Sequence, residues 1–203
     1  MRTRFEAGSA YADKRLTLYA VLSLTALLGA LFGALCWCYG SGELSELLDN
    51  ARERYLAERR GGEFIGVLTA SLSGMGTFLL AEFLLGFSAI AQPLEALLPF
   101  LRGAVCGVIL ISVNGGALDK AALIRTSAVF LGLLISLTVT VFAAREAIYL
   151  SGRLFRICFA GGLPDGIFGR IRLYAARFVI LLAASSAGAL IDCGLSVLLL
   201  GRS

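Results

Sequence analysis

Histidine is missing altogether from this chain of 203 residues, and with it go the commonest general base at neutral pH and the commonest metal ligand. Charge is scarce as well. Only 16% of residues are Asp, Glu, Lys or Arg, against about 25% in soluble domains, and they gather in short stretches between long apolar runs. The scarcity excludes an ordinary water-facing surface. With no histidine and with carboxylates scattered along the chain, no catalytic, cofactor-binding or metal-ligating residue is assigned. No cofactor is expected, nucleic acid is not among the expected partners, and a membrane-embedded enzyme ranks last among the functional readings.

The five cysteines are an odd number, and Cys36, Cys106, Cys158 and Cys193 lie in or beside apolar segments, where cysteine behaves as a small hydrophobe. Cys36 and Cys38 flank Trp37 without the two-residue spacer of redox and zinc motifs, and side chains two apart on a helix diverge. Neither a disulfide scaffold nor a redox centre is expected.

What the chain has in excess is apolar surface: 58% of its residues are hydrophobic, against roughly 45–50% in soluble domains. The excess is organised into runs of membrane-spanning length. Residues 16–38 follow a basic leader of Arg2, Arg4, Lys14 and Arg15. That run exceeds the roughly 7–15 apolar residues of a secretory signal and reads as an uncleaved helix across a bilayer core of about 30 Å. Trp37 and Tyr39 then fall at the far interface, where amphipathic rings are favoured. Residues 40–63 carry six acidic and four basic side chains, with Leu44, Leu47, Leu48, Ala51, Tyr55 and Leu56 at helical spacing. This predicts a short amphipathic helix outside the membrane.

A second span is expected over 64–91, stopped by Gln92-Pro93. A third covers 94–113, interrupted by Pro99 and Arg102 and closed by Asn114-Gly115-Gly116. The fourth covers 121–144. A basic stretch from Arg145 to Arg172 follows, with its loop over Gly161–Gly166, and the last span is 174–200. The expectation is a single all-α membrane domain over 1–203, a polytopic bundle of about five transmembrane helices plus a short amphipathic extracytoplasmic helix. Basic residues are retained on the cytoplasmic side. With the amino terminus inside, ten of them lie in inner segments and seven in outer ones, which puts the carboxyl terminus outside.

Glu82 and Arg102 are the sharpest polar signal, because a charge inside a span costs several kcal/mol unless it is paired or hydrated. Glu82 lies eleven residues before Pro93 and Arg102 nine after it. In a hairpin turning at Gln92-Pro93, these offsets of about 16 and 13 Å put them at similar depth, so they are expected to pair. The structural reading, an ion pair that fixes helix register, goes ahead of a site for ions, protons or polar substrate. Glu95 and Asp192 are further buried-charge candidates. Glu95 is expected to snorkel to the nearby interface, and Asp192 either accepts hydrogen bonds from neighbouring helices or is solvated near the outer end.

Small residues recur at four-residue spacing: Ala26, Ala30 and Ala34 with Gly29 and Gly33 in the first span, Gly103 and Gly107 in the third. Such ridges let helix backbones approach closely, mostly within one chain; self-association is their other use. Gly74 and Gly76 make no phosphate loop, since no Lys-Ser/Thr follows. The basic stretch before the last span could bind anionic lipid, but topology alone accounts for it.

Leu84-Leu85-Gly86 leading to Gln92-Pro93, then Leu98-Pro99-Phe100-Leu101-Arg102-Gly103 with a second glycine at Gly107, resembles the stage II sporulation protein M family. That family shows a Leu-Leu-Gly helix, a proline turn, and a hydrophobic helix carrying a basic residue followed by two glycines. Ser185-Ser186-Ala187-Gly188 running on to Asp192 resembles its last helix, which carries an acidic residue there. The resemblance implies a five-span membrane protein without catalytic activity of its own. In endospore formers the family member helps the mother-cell membrane migrate around the forespore by anchoring two peptidoglycan hydrolases, stage II sporulation proteins D and P. Beside this scaffold reading stands a transporter or channel subunit, which predicts a hydrated cavity reaching the intramembrane charges.

Overall fold

A backbone immersed in hydrocarbon has no water to bond with and must satisfy its N–H and C=O groups internally. In the computed structural model of the protein, each long apolar run is accordingly a helix. The structure describes residues 2–39, 43–60, 64–114, 120–159 and 166–200. They form α1 (Arg2–Tyr39), α2 (Glu43–Arg60), α3 (Phe64–Leu85), α4 (Gln92–Asn114), α5 (Lys120–Phe159) and α6 (Ile167–Leu200), with no strand among them. Five of these hold stretches long and apolar enough to cross a bilayer: Leu16–Tyr39, Phe64–Leu85, Gln92–Ser112, Val129–Phe159 and Ile167–Gly194. The protein is an all-α, multi-pass membrane bundle. Leu24, Leu27 and Leu31 on α1, Ile65 and Leu80 on α3, and Val179 and Ile180 on α6 are all more than half exposed. An apolar surface spread over so many helices is one that lipid covers.

Lipid chains are as apolar as leucine, so helices inside a membrane associate by close packing and polar contacts rather than by a hydrophobic force. The chain supplies that packing through its small-residue ridges. α1 and α4 run parallel, with Gly103 against the backbone of Ala26, Gly107 against Ala30, Gly29 against Phe100 and Gly33 against Ala104. At all four glycines a Cβ would collide with the partner's carbonyl oxygen, so the ridges interlock only as glycine. They pack the chain's own helices, and these four positions are occupied by that contact.

α4 and α6 pack antiparallel to α5, the most enclosed span, and α3 packs antiparallel to α6 and parallel to α5. Cys106 and Ile109 of α4 meet Val129 and Leu133 of α5. Along α3 and α6, Phe64 lies beside Cys193, Ser71 beside Asp192 and Glu82 beside Tyr174. Helix α2 lies across the end of the bundle where α1 stops and α3 begins, touching α1, α3, α4 and α6. It is pinned by Arg52, whose guanidinium stacks 4.4 Å over the Trp37 ring and pairs with Asp49 at 3.0 Å and Glu53 at 2.7 Å. The side chains of Leu44, Leu48, Ala51, Tyr55 and Leu56 and the expected turns at Gly115-Gly116 and Gly161–Asp165 lie outside the described residues.

Several helix boundaries differ from expectation: α1 begins at Arg2 and α6 at Ile167, ahead of their apolar runs, and three further differences have a local cause. The second span ends at Leu85 instead of 91. Gly86 closes it, with Phe87 N–H bonding Leu84 O at 3.2 Å and Ser88 N–H bonding Leu85 O at 2.8 Å, a tightened last turn. Gln92-Pro93 starts a helix rather than stopping one, the position where a missing N–H matters least. Pro99 then lies inside an unbroken α4. Finally, α5 runs on past Ala144 to Phe159, because arginines end an apolar run without ending a helix.

Tyr174 ties these elements together. Buried on α6, it stacks on Phe83 with centroids 5.4 Å apart and packs on Phe178 at 4.6 Å. Its hydroxyl donates to the carbonyls of Glu82 (3.2 Å) and Phe83 (3.1 Å), near the end of α3 where carbonyls lose their intrahelical donors. A Cβ on Gly86 would run into that same hydroxyl.

Candidate functional site

The expected Glu82–Arg102 pair does not form. With α3 ending three residues after Glu82, that carboxyl lies only about 4.5 Å from its helix end, whereas Arg102 lies ten residues, about 15 Å, into α4. The chain uses 86–91 as the connection, so the depth match that a turn at Gln92-Pro93 implied is lost. α4 also packs chiefly on α1 and α5 rather than on α3.

Arg102 instead bridges α4 to α5 and α3. Its Nε and Nη2 donate to Ser136 Oγ at 2.9 and 2.5 Å, and its guanidinium lies 5.1 Å over the Phe78 ring. The group projects into a cavity of about 480 Å³ between α3, α4, α5 and α6, lined also by Ser71, Thr77 and Asp192 and roofed by the exposed Arg54 of α2. Asp192 is almost fully buried and accepts a hydrogen bond from Ser71 across α3 and α6 at 2.8 Å. It rests on Gly132 of α5, where a Cβ would come within 2.6 Å of its Oδ1. Of the two readings for Asp192, acceptance of hydrogen bonds between helices is the one found.

Glu82 and Glu95 occupy the opposite part of the bundle. Both are completely buried; among the described residues the Glu82 carboxylate has no hydrogen-bond partner, while Glu95 lies beside the Ser151 hydroxyl. They lie within electrostatic reach of one another and of the Tyr174 hydroxyl. Glu95 therefore does not snorkel. The continuation of α5 covers the α3–α4 connection, with the Ser151 hydroxyl donating to Ser88 O at 2.7 Å, and this closes the route Glu95 would take to the headgroups.

The four residues singled out by sequence thus fall into two layers, Arg102 with Asp192 and Glu82 with Glu95. Between them lies an apolar layer in which Leu79 of α3 packs on Val139 and Ala143 of α5. The buried hydroxyl of Thr140 at this level bonds its own helix, to Ser136 O at 3.0 Å. Sequence reasoning missed Ser71 and Ser136, the partners of the buried charges. Their one signal is that each interrupts an apolar run with a group that can bond across helices.

Removing Ser136 as acceptor should show where Arg102 is anchored. In unfolding titrations of the detergent-solubilised protein, Arg102→Met and Ser136→Ala are expected to couple by about 1.5–3 kcal/mol, the range for a hydrogen bond to a charged group. Arg102→Met and Glu82→Gln should add to within about 0.5 kcal/mol. The reverse pattern of coupling would refute the assignment.

No family model, curated protein or solved structure matches the chain.

Proposed function

We propose that this protein is a non-catalytic scaffold of a bacterial cell membrane, holding partner proteins through α2 and the helix ends. The observation that carries the reading is the apolar layer of Leu79, Val139 and Ala143 between the two charged layers. A conducting protein needs a polar path from one face to the other; among the described residues the charged groups stop on either side of an apolar layer, and the Thr140 hydroxyl at that level is bonded to its own helix. A second support is the way α2 is held across the bundle by Arg52 and Trp37, a fixed charged platform at one end. By the resemblance to the stage II sporulation protein M family, the partners are the peptidoglycan hydrolases, stage II sporulation proteins D and P, and the process is forespore engulfment during sporulation.

The cavity at Arg102 favours a second reading, a transporter or channel subunit, in which it takes up a polar solute from the α2 side. Affinity purification from membranes in mild detergent separates the two. Wall hydrolases are expected in the eluate; an ATPase there, together with solute flux in proteoliposomes, would replace the scaffold by the transporter.

In the proposed orientation the amino terminus is cytoplasmic and α2 extracytoplasmic. Cys38, at the end of α1, and Cys158, near the end of α5, are both exposed and lie at opposite ends of the bundle. A membrane-impermeant maleimide applied to intact cells is therefore expected to label Cys38 and spare Cys158. Labelling of Cys158 alone would invert the topology.

A further inference from the structure

At the end of the bundle away from α2, the last turns of α5 and the first turns of α6 enclose a cavity of about 580 Å³, within the roughly 300–1,000 Å³ of small-molecule sites. Five arginines line it, Arg145, Arg153, Arg156, Arg170 and Arg177, with one acidic residue, Glu146. We propose that this cavity binds the phosphate headgroup of an anionic phospholipid. The inference goes beyond the scaffold reading and does not depend on it.

Arg145 is buried, stacked 4.6 Å over the Tyr19 ring and 4.8 Å over that of Tyr149. Its Nε has no hydrogen-bond partner among the described residues. Glu146 uses one carboxylate oxygen for Arg145 and the other for Arg177, which holds both guanidinium groups beside it. Among the described residues, Arg153, Arg156 and Arg170 have no carboxylate partner; Arg156 Nε donates to Gly152 O at 3.3 Å. Like charges around one concave space repel, and an anion bound between them relieves the repulsion. The planar fork of arginine matches phosphate oxygens in pairs, which selects phosphate over a monovalent halide.

Two features select a lipid over a soluble phosphate. The cavity lies where two spans end, at headgroup depth, and its rim is greasy. Leu173 lines it while half exposed, and Phe155 and Phe168 stand exposed on the same two helix ends, placed to meet acyl chains. A topology signal needs basic residues only on the correct side of the membrane. It does not need them converging on a cavity, one of them buried and two held by a shared carboxylate.

The test uses the full chain in nanodiscs of phosphatidylcholine, with and without cardiolipin, reading bound lipid by native mass spectrometry and the midpoint of thermal unfolding. Cardiolipin is expected to be retained and to raise the midpoint. R153Q, R156Q and R170Q should each weaken retention about fivefold, and the triple variant on the order of a hundredfold, while keeping the wild-type midpoint in phosphatidylcholine alone. Should the triple variant fail to fold, the three single variants carry the same comparison. R172Q, an equal loss of charge on the exposed α6 surface outside the cavity, should retain lipid like the wild type. Equal losses for R170Q and R172Q would overturn the site in favour of diffuse attraction. Saturable stabilisation by inorganic pyrophosphate in phosphatidylcholine discs, with none by cardiolipin, would overturn the lipid assignment.

Discussion

Leucine in place of Gly33 or Gly103 is expected to separate α1 from α4 and leave no stable folded protein in detergent. At both positions the first side-chain carbon already meets the backbone of the opposing helix, so no rotamer avoids the collision. Alanine at either position brings the same Cβ against the opposing carbonyl and should lose at least about 1–3 kcal/mol, the range for overpacked cores, though less than leucine. The damage is not repaired by hydrophobic attraction, because lipid solvates the freed leucines of α1 as well as α4 does. Unfolding in graded denaturing detergent, with protease cleavage to detect a loosened α1, measures both variants. Wild-type resistance of the Gly103→Leu protein would show that the two helices do not approach as described.

Tyr174→Ala should be the second large loss, about 3–5 kcal/mol, the range for removing a buried aromatic side chain. The tyrosine lies between Phe83, Phe87 and Phe178 and closes the end of α3 through its hydroxyl. Phenylalanine keeps the ring contacts and removes only the hydrogen bonds, so Tyr174→Phe should lose about 0.5–1.5 kcal/mol. The same unfolding assay reads both, and the gap between them apportions the effect between packing and capping. Equal losses would mean that the ring contributes little and the hydroxyl nearly everything.

The number of spans was legible in the sequence because hydrocarbon imposes its own length on any helix that crosses it. The glycine ridges were legible for a related reason: only a few residue types allow close approach, and their spacing shows in the chain. Pairings between spans were not. The expected Glu82–Arg102 contact assumed that the proline marked the turn, but Pro93 sits in the first turn of α4, and the few residues between α3 and α4 displaced the two charges relative to each other. The same shift carried Glu95 under the arch of α5, where the surface position expected from its place near a turn no longer applies. α5 outran its apolar segment because hydropathy marks where a helix meets lipid, and helix propensity decides where it stops. Ser71 and Ser136 are ordinary hydroxyls in the sequence. Only the packing of α3 on α6 and of α4 on α5 makes them partners of Asp192 and Arg102.

The pairing of α1 with α4 also sets an order of assembly. Gly33 leaves the ribosome roughly 70 residues before Gly103, a delay of roughly 4–14 seconds at about 5–20 residues per second. During that interval α1 sits in the bilayer without its mate, its notched face open to whatever helix drifts past. The newborn chain is thus exposed to wrong partners until α4 follows, and an insertase that shelters α1 over those seconds is expected to raise the yield of folded protein.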